Sequence, residues 1–172
     1  MKQLVRSTVL LAMVTLLGCG YSLVGRGSNL PATVKKVQLI PLENGTSRAQ
    51  VDQILTQALT SELVNRHRFE VLNSPEGADA VLSGTVRSFT LSPVTFDDQG
   101  RATEYEIAIV VGVKFKEVAQ ETPLYQNENY LFRASYEVKA SELGFQDRET
   151  PAIESTAKDF AETLVTDLLE GF

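Results

Sequence analysis

The spacing of apolar residues divides the chain into helical and extended segments. In two stretches apolar residues recur every three or four positions, which predicts two amphipathic helices. The first helix is expected to begin at a capping box formed by Ser47 and Gln50 and to end near Asn65. The second is expected to begin with Thr150 as its cap and Pro151 at its first position. The two apolar stripes consist of Val51, Ile54, Leu55, Ala58, Leu59 and Leu63, and of Ile153, Ala157, Phe160, Leu164 and Leu168.

Most of the remaining chain alternates apolar with polar residues and is therefore expected to form strands. The longest regular alternation begins at Glu104, and the strand before it is expected to end at Pro93. Gly84 marks a bulge or a close packing site in that earlier strand. The predicted strands cover residues 34–40, 69–72, 79–91, 104–118 and 125–138. This order predicts an α+β domain of two layers. Two amphipathic helices pack on one face of a mixed, mostly antiparallel sheet of four to five strands.

The first nineteen residues have the pattern of a lipoprotein signal peptide. Lys2 and Arg6 precede an apolar stretch of residues 7–17, which as a helix would span roughly 16 Å, about half of a hydrocarbon core. The segment Leu16-Leu17-Gly18-Cys19 then resembles the bacterial lipobox. An ordinary secretory signal with an incidental Cys, or an uncleaved anchor, is the alternative.

A lipobox implies that residues 1–18 are cleaved off and that Cys19 carries diacylglycerol and a fatty acyl group such as palmitate. No other cofactor is expected. Residues 19–33 would then form a lipidated, flexible tether, and residues 34–172 a single domain. Two or three acyl chains make a stable membrane anchor. Gly20, rather than Asp, follows the Cys, which by resemblance to enterobacterial sorting directs the protein to the outer membrane of a Gram-negative envelope, on its periplasmic face.

Charge and composition exclude several functions. The net charge of −6 becomes −8 when Lys2 and Arg6 are removed with the signal peptide, and this argues against nucleic-acid binding. With one Cys and one His the chain has no cysteine-rich metal site and no catalytic triad. His67 is expected to satisfy carbonyls at the end of the first helix. We therefore expect neither an enzyme nor a metalloprotein.

Basic residues are the remaining candidates for a binding site. Five are on predicted strands and two in loops: Arg87, Lys114, Lys116, Arg133 and Lys139, and Arg101 and Arg148. Each taken singly fits a solvated charge on an exposed face. Together they would form a local patch for a phosphorylated lipid on an otherwise acidic protein.

The order of several short motifs resembles one family across nearly all of the mature chain. These motifs are Cys19-Gly20-Tyr21, the loop and strand of residues 98–105 that enter the Ile/Val alternation, Phe132-Arg133, and a closing amphipathic helix. In this order they resemble the lipopolysaccharide-assembly lipoproteins of the LptE type.

The resemblance implies a non-enzymatic plug and partner for a large outer-membrane β-barrel of the LptD type, which helps to insert lipopolysaccharide. It also implies lipopolysaccharide contacts at Arg101 and Arg148, and we add Arg133 and Lys139 as candidates. The alternative function is an auxiliary or pilot lipoprotein of another periplasmic lipid-trafficking or secretion system.

Overall fold

The computed structural model describes residues 30–120, 122–138 and 145–170, and in the last segment it describes side chains from Thr150 onward. The signal peptide, Cys19, residues 20–29 of the tether and Lys139 lie outside the described residues. The strands and helices are β1 (Lys36–Leu39), β2 (Glu43–Asn44), α1 (Val51–Asn65), β3 (Glu70–Leu72), β4 (Ala80–Phe96), β5 (Ala102–Glu117), β6 (Pro123–Glu137) and α2 (Phe145–Glu170).

These elements form the expected two-layer α+β domain. The strand order is β3-β1-β4-β5-β6, and the two-residue β2 pairs with β4, so the sheet has six strands where four to five were expected. The short pairs of β1 with β3 and β4, and of β2 with β4, are parallel. The long pairs β4–β5 and β5–β6 are antiparallel. The mixed, mostly antiparallel sheet is therefore confirmed.

Both apolar stripes and the alternation of β5 converge on one core. In α1 the buried residues are Val51, Leu55, Leu59 and Leu63. In α2 they include Ile153, Ala157, Phe160, Leu164 and Leu168. In β5 they are Ile107, Ile109, Val111, Val113 and Phe115, which alternate as predicted. Because these side chains form a single cluster, both helices lie on the same face of the sheet. Leu30 is 8% exposed and belongs to this cluster, ahead of the expected domain boundary at residue 34.

The start of α1 differs from the predicted capping box. Gln50 is the N-cap, with φ of 64°, and makes no capping bond through a side chain. Asn44 instead organises the preceding turn, because its Nδ2 donates to the carbonyl of Arg48 at 2.8 Å and to Oδ1 of Asp52 at 3.1 Å. Asp52 also places a carboxylate in the first turn, where the helix dipole favours it.

The end of α1 lies at Asn65, as predicted, and His67 follows it with φ of 52°. The backbone N–H of Arg66 donates to the carbonyl of Glu62, and that of His67 to the carbonyl of Val64, both at 3.1 Å. Nδ1 of His67 lies 2.5 Å from the carbonyl oxygen of Asn65. This confirms the expected structural use of the single His.

The predicted start of α2 and end of β4 are wrong. The helix begins at Phe145, so Thr150 is not its cap and Pro151 lies inside it. The strand β4 continues through Pro93 to Phe96. Proline is tolerated there because β1 and β2 pair with β4 only as far as Val86, and beyond that point this edge of β4 has no neighbouring strand in the described structure. A missing N–H at such an edge breaks no ladder bond.

The close approach expected at Gly84 is present in the β4–β5 pair. A Cβ at this position would lie 2.4 Å from the carbonyl oxygen of Gly112, closer than real Cβ atoms come. Gly84 therefore allows the two longest strands to approach each other closely at a point where the side chain of Leu42 also packs against β4.

Candidate functional site

The face of the sheet opposite the helices carries several of the candidate basic residues. In β5, Ile107 and Ile109 point into the core and are fully buried, so Ala108 between them points to the other face. No described helix covers that face. Arg133 of β6 lies directly opposite Ala108 and is exposed on this outer face. Among the described residues it makes no ion pair or side-chain hydrogen bond, so its guanidinium is available to an external anion.

Arg101 lies in the loop at the far end of the β4–β5 hairpin and is held by Asp97. Oδ1 of Asp97 accepts the backbone N–H groups of Gln99 and Arg101, each at 2.9 Å. Oδ2 accepts Nε of Arg101 at 2.8 Å. Gly100, with φ of 75°, gives the loop the left-handed residue that this turn requires.

This network affects the charge at the hairpin end. The backbone N–H of Arg101, followed by its guanidinium and the N–H of Gln99, lowers the pKa of Asp97 below its ordinary value, although partial desolvation opposes them. Asp97 is therefore ionised at neutral pH and balances the charge of Arg101. An anionic ligand at Arg101 would have to compete with a carboxylate that is already in place.

Arg87 is similarly paired on the outer face. It forms an ion pair with Glu128 of β6, and its guanidinium lies over Gly112, whose missing Cβ leaves the space. Together with Lys114 these residues line a shallow groove of about 290 Å³. The groove therefore contains charges of both signs rather than a purely basic surface.

The basic residues do not form one compact patch. Arg133 lies opposite Ala108, whereas Lys114 and Lys116 lie six and eight residues further along β5, which is roughly 20–27 Å away. Arg148 lies in α2, not in a loop as expected, and its side chain is outside the described ones. Of the four predicted lipopolysaccharide contacts, only Arg101 and Arg133 have described side chains, and only Arg133 is unpaired.

The hairpin end also exposes apolar residues beyond the expected strand end at Pro93. Val94 and Phe96 of β4 are 48% and 58% exposed. Leu131 of β6, inside the predicted strand of residues 125–138, is 51% exposed and lies further along the sheet, opposite Val110. The signal was the Val94-x-Phe96 alternation, which the expected strand end at Pro93 concealed. These side chains make the uncovered part of the sheet more apolar than the charge pattern alone suggests.

The described residues contain neither a cluster of metal ligands nor a membrane-spanning helix. In residues 30–120, 122–138 and 145–170, no group of three or more His, Cys, Asp and Glu is placed to bind a metal ion. Over the same ranges no helix is both long enough and apolar enough to cross a membrane.

The fold is a small two-layer α+β domain that several bacterial lipoproteins of known structure share. A lipoprotein B of Nitrosomonas europaea shares 17% identity at a TM-score of 0.51, with 87% of this chain and 90% of that one covered. The rare lipoprotein B of Shewanella oneidensis gives 15% identity and a TM-score of 0.52, with 78% and 93% covered. A Xanthomonas campestris protein shares 12% identity at a TM-score of 0.59, with 81% of this chain and 86% of that one covered. At these identities the likeness concerns the fold.

The family itself follows from a match in sequence. The family model for LptE, described as lipopolysaccharide-assembly, matches residues 34–168. The chain therefore belongs to the LptE lipopolysaccharide-assembly family, as its motifs suggested. No curated relative matches it.

Proposed function

We propose that this chain is an outer-membrane lipoprotein that binds a large β-barrel of the LptD type and assists the insertion of lipopolysaccharide. The observation that carries the proposal is the family match over residues 34–168, which spans nearly the whole predicted domain. The lipobox before Cys19 supports a lipid anchor, because two or three acyl chains hold a protein stably at a membrane.

We further propose that the protein acts by binding rather than by catalysis. Its single His lies at the end of α1, next to the carbonyl of Asn65, where it has a structural use. The carboxylate of Asp97 stabilises a turn and faces Arg101 rather than a cleft. These two groups, which could otherwise act as acid or base, are thus explained by the fold.

Arg133 is the strongest of the proposed lipopolysaccharide contacts. A guanidinium donates two parallel hydrogen bonds to a phosphate, and in Arg133 it is exposed and without an ion-pair partner in the described structure. Arg101 ranks below it because of its bond to Asp97. Arg148 and Lys139 remain proposals from sequence alone.

The partner is tested by affinity isolation of the tagged, full-length lipoprotein from detergent-solubilised outer membranes. We expect a β-barrel protein of far greater mass to be recovered with it. The variant C19A is expected to be absent from the outer-membrane fraction, because cleavage and acylation both require the Cys. Recovery of the wild-type lipoprotein alone would contradict the proposed complex.

The lipopolysaccharide contact is tested with Arg133→Ala in the purified complex. We expect crosslinking of lipopolysaccharide to the lipoprotein to fall about tenfold or more, consistent with losing a charge-assisted pair of about 1.5 kcal/mol or more. Lys158→Ala is the matched control, since it removes the same charge from an exposed position on α2. Equal crosslinking in both variants would eliminate Arg133 as a contact.

A further inference from the structure

The sheet ends in two very different edges. On one side the last strand is β3, which has three residues and offers almost no free backbone. On the other side it is β6, which has fifteen residues. A long edge strand presents a row of unpaired N–H and C=O groups that can pair with another chain.

The direction of the free groups in β6 follows from one hydrogen bond. The N–H of Val138 donates to the carbonyl of Thr103 of β5 at 2.8 Å, so residue 138 points toward β5. In an antiparallel ladder, hydrogen-bonded and non-hydrogen-bonded pairs alternate. The register pairs residues 130–137 with residues 104–111 without a shift, so the N–H and C=O of Leu131, Arg133, Ser135 and Glu137 point away from the sheet. Within the described structure these groups have no hydrogen-bond partner.

The described part of the helix layer leaves this edge uncovered. The contacts of β6 with α2 come from the intervening residues: Oη of Tyr130 donates to Oδ2 of Asp167 at 2.5 Å, and Phe132 packs edge-to-face on Phe160 with ring centroids 6.0 Å apart. These contacts lie on the face of the sheet. The described part of α2 therefore lies over β6 and not beside it.

In the described structure, the other exposed edge of the sheet is protected more strongly than this one. The far half of β4, which also lacks a neighbouring strand, carries Pro93 and register shifts near it, and both features oppose pairing with another chain. The free stretch of β6 has no proline and no shift, and it exposes Leu131. This difference between two edges of one sheet indicates that the β6 edge is used.

We infer that residues 131–137 of β6 accept an extended segment of the barrel partner as an additional strand of the sheet. The inference rests on the proposed complex with the barrel and adds where and how the partner binds. Backbone hydrogen bonds would supply affinity, and side chains of alternate residues would supply register. On the outer face the segment would place an apolar side chain beside Leu131 and a basic one beside Glu137, which complements the exposed groups of β6.

Hydrogen exchange tests the inference on the unmodified protein. Amide exchange of the full-length lipoprotein is measured in detergent, alone and in its complex with the barrel. Pairing with a new strand should slow the amides of residues 131, 133, 135 and 137 roughly tenfold or more, whereas residues 132, 134 and 136 are already protected. Slowing with this period of two supports strand addition. Unchanged amides in an intact complex overturn it.

A variant that removes one outward N–H provides a second test. Ser135→Pro loses an amide that makes no bond within the sheet, and an edge strand tolerates proline there. We expect the recovery of the barrel to fall about tenfold, because the variant loses that hydrogen bond and keeps the added strand from approaching β6 closely. Ser135→Ala keeps the amide and should bind normally. Thermal unfolding of both variants must remain near that of the wild type, and if Ser135→Pro unfolds, the exchange experiment decides.

The outcomes separate the inference from the proposed function. If the barrel is recovered and the exchange pattern is absent, strand addition is wrong while the complex stands. If no barrel is recovered from wild-type cells, the proposed function fails first. Protection of the same four amides in the lipoprotein alone, increasing with its concentration, would identify the occupant as a second copy and overturn the assignment to the barrel.

Discussion

Gly84 offers a direct test of how closely β4 and β5 are packed. Replacing it with Ala would place a Cβ 2.4 Å from the carbonyl oxygen of Gly112 and 3.1 Å from Cδ2 of Leu42. The first of these atoms belongs to the backbone of the neighbouring strand, so the ladder itself must shift. Overpacking of this kind costs about 1–3 kcal/mol. The Ala gains roughly 0.5–1 kcal/mol because it restricts the unfolded chain more than Gly does.

The expected result is a net loss of about 1–2 kcal/mol in the free energy of unfolding for Gly84→Ala. The matched control is Gly112→Ala, in which the new Cβ would lie 2.9 Å from Nε of Arg87. That atom ends a flexible side chain that can move away, and the exposed ion pair of Arg87 with Glu128 contributes little. The control is therefore expected to change stability by no more than about 0.5 kcal/mol.

Urea unfolding of the two variants and the wild type, followed by circular dichroism, measures the difference. Both variants should keep the wild-type slope with denaturant, since neither alters the surface exposed on unfolding. If Gly84→Ala is as stable as Gly112→Ala, the close approach of β4 and β5 does not constrain this position, and the packing argument is refuted.

Three further predictions concern the core and the hairpin loop. Phe160→Ala removes a fully buried ring that packs against Tyr130 and Phe132, and should lower the free energy of unfolding in urea by about 3–5 kcal/mol. A decrease below about 1 kcal/mol would contradict the position of Phe160 in the core. Tyr130→Phe should cost about 1.5 kcal/mol, because it deletes the hydrogen bond to Asp167, and an unchanged unfolding midpoint would show that this bond contributes nothing. The carboxyl of Asp97 should titrate below 3.8 by NMR. Because its pKa is lowered by folding, its stabilising contribution is complete above about pH 3.8 and is lost as pH falls through the folded-state value. A normal pKa would refute the loop network.

Part of this fold follows directly from sequence patterns. The stripes of α1 and α2 and the alternation of β5 predicted most of the buried residues, because a single core requires apolar side chains at those periods. Ile54 and Ala58 of the first stripe are only partly buried, and Ala161 and Val165 of α2 are buried outside the predicted stripe. The residues at which the two helices begin could not be predicted from these patterns. Asn44 organises the turn before α1 from a distance of several residues, and capping rules read from neighbouring residues do not include such a contact.

Pro93 and Arg101 show why tertiary context was needed. Proline usually ends a strand, but here the adjacent edge of β4 has no neighbouring strand in the described structure, and no ladder bond is lost. The sequence indicated that the charge of Arg101 could bind a ligand, but the turn brings Oδ2 of Asp97 to within 2.8 Å of its Nε. Arg133 has no such partner in the described structure. Which basic residue is available therefore depended on the pairing of strands and the shape of one loop.

Depletion of this protein, followed by measurement of surface lipopolysaccharide, tests the central proposal most directly. The account predicts that lipopolysaccharide disappears from the cell surface and accumulates inside the envelope. It also predicts that the wild-type gene restores surface lipopolysaccharide, whereas the variant C19A does not. Normal surface lipopolysaccharide in fully depleted cells would contradict the account and would favour an auxiliary or pilot role in another envelope system.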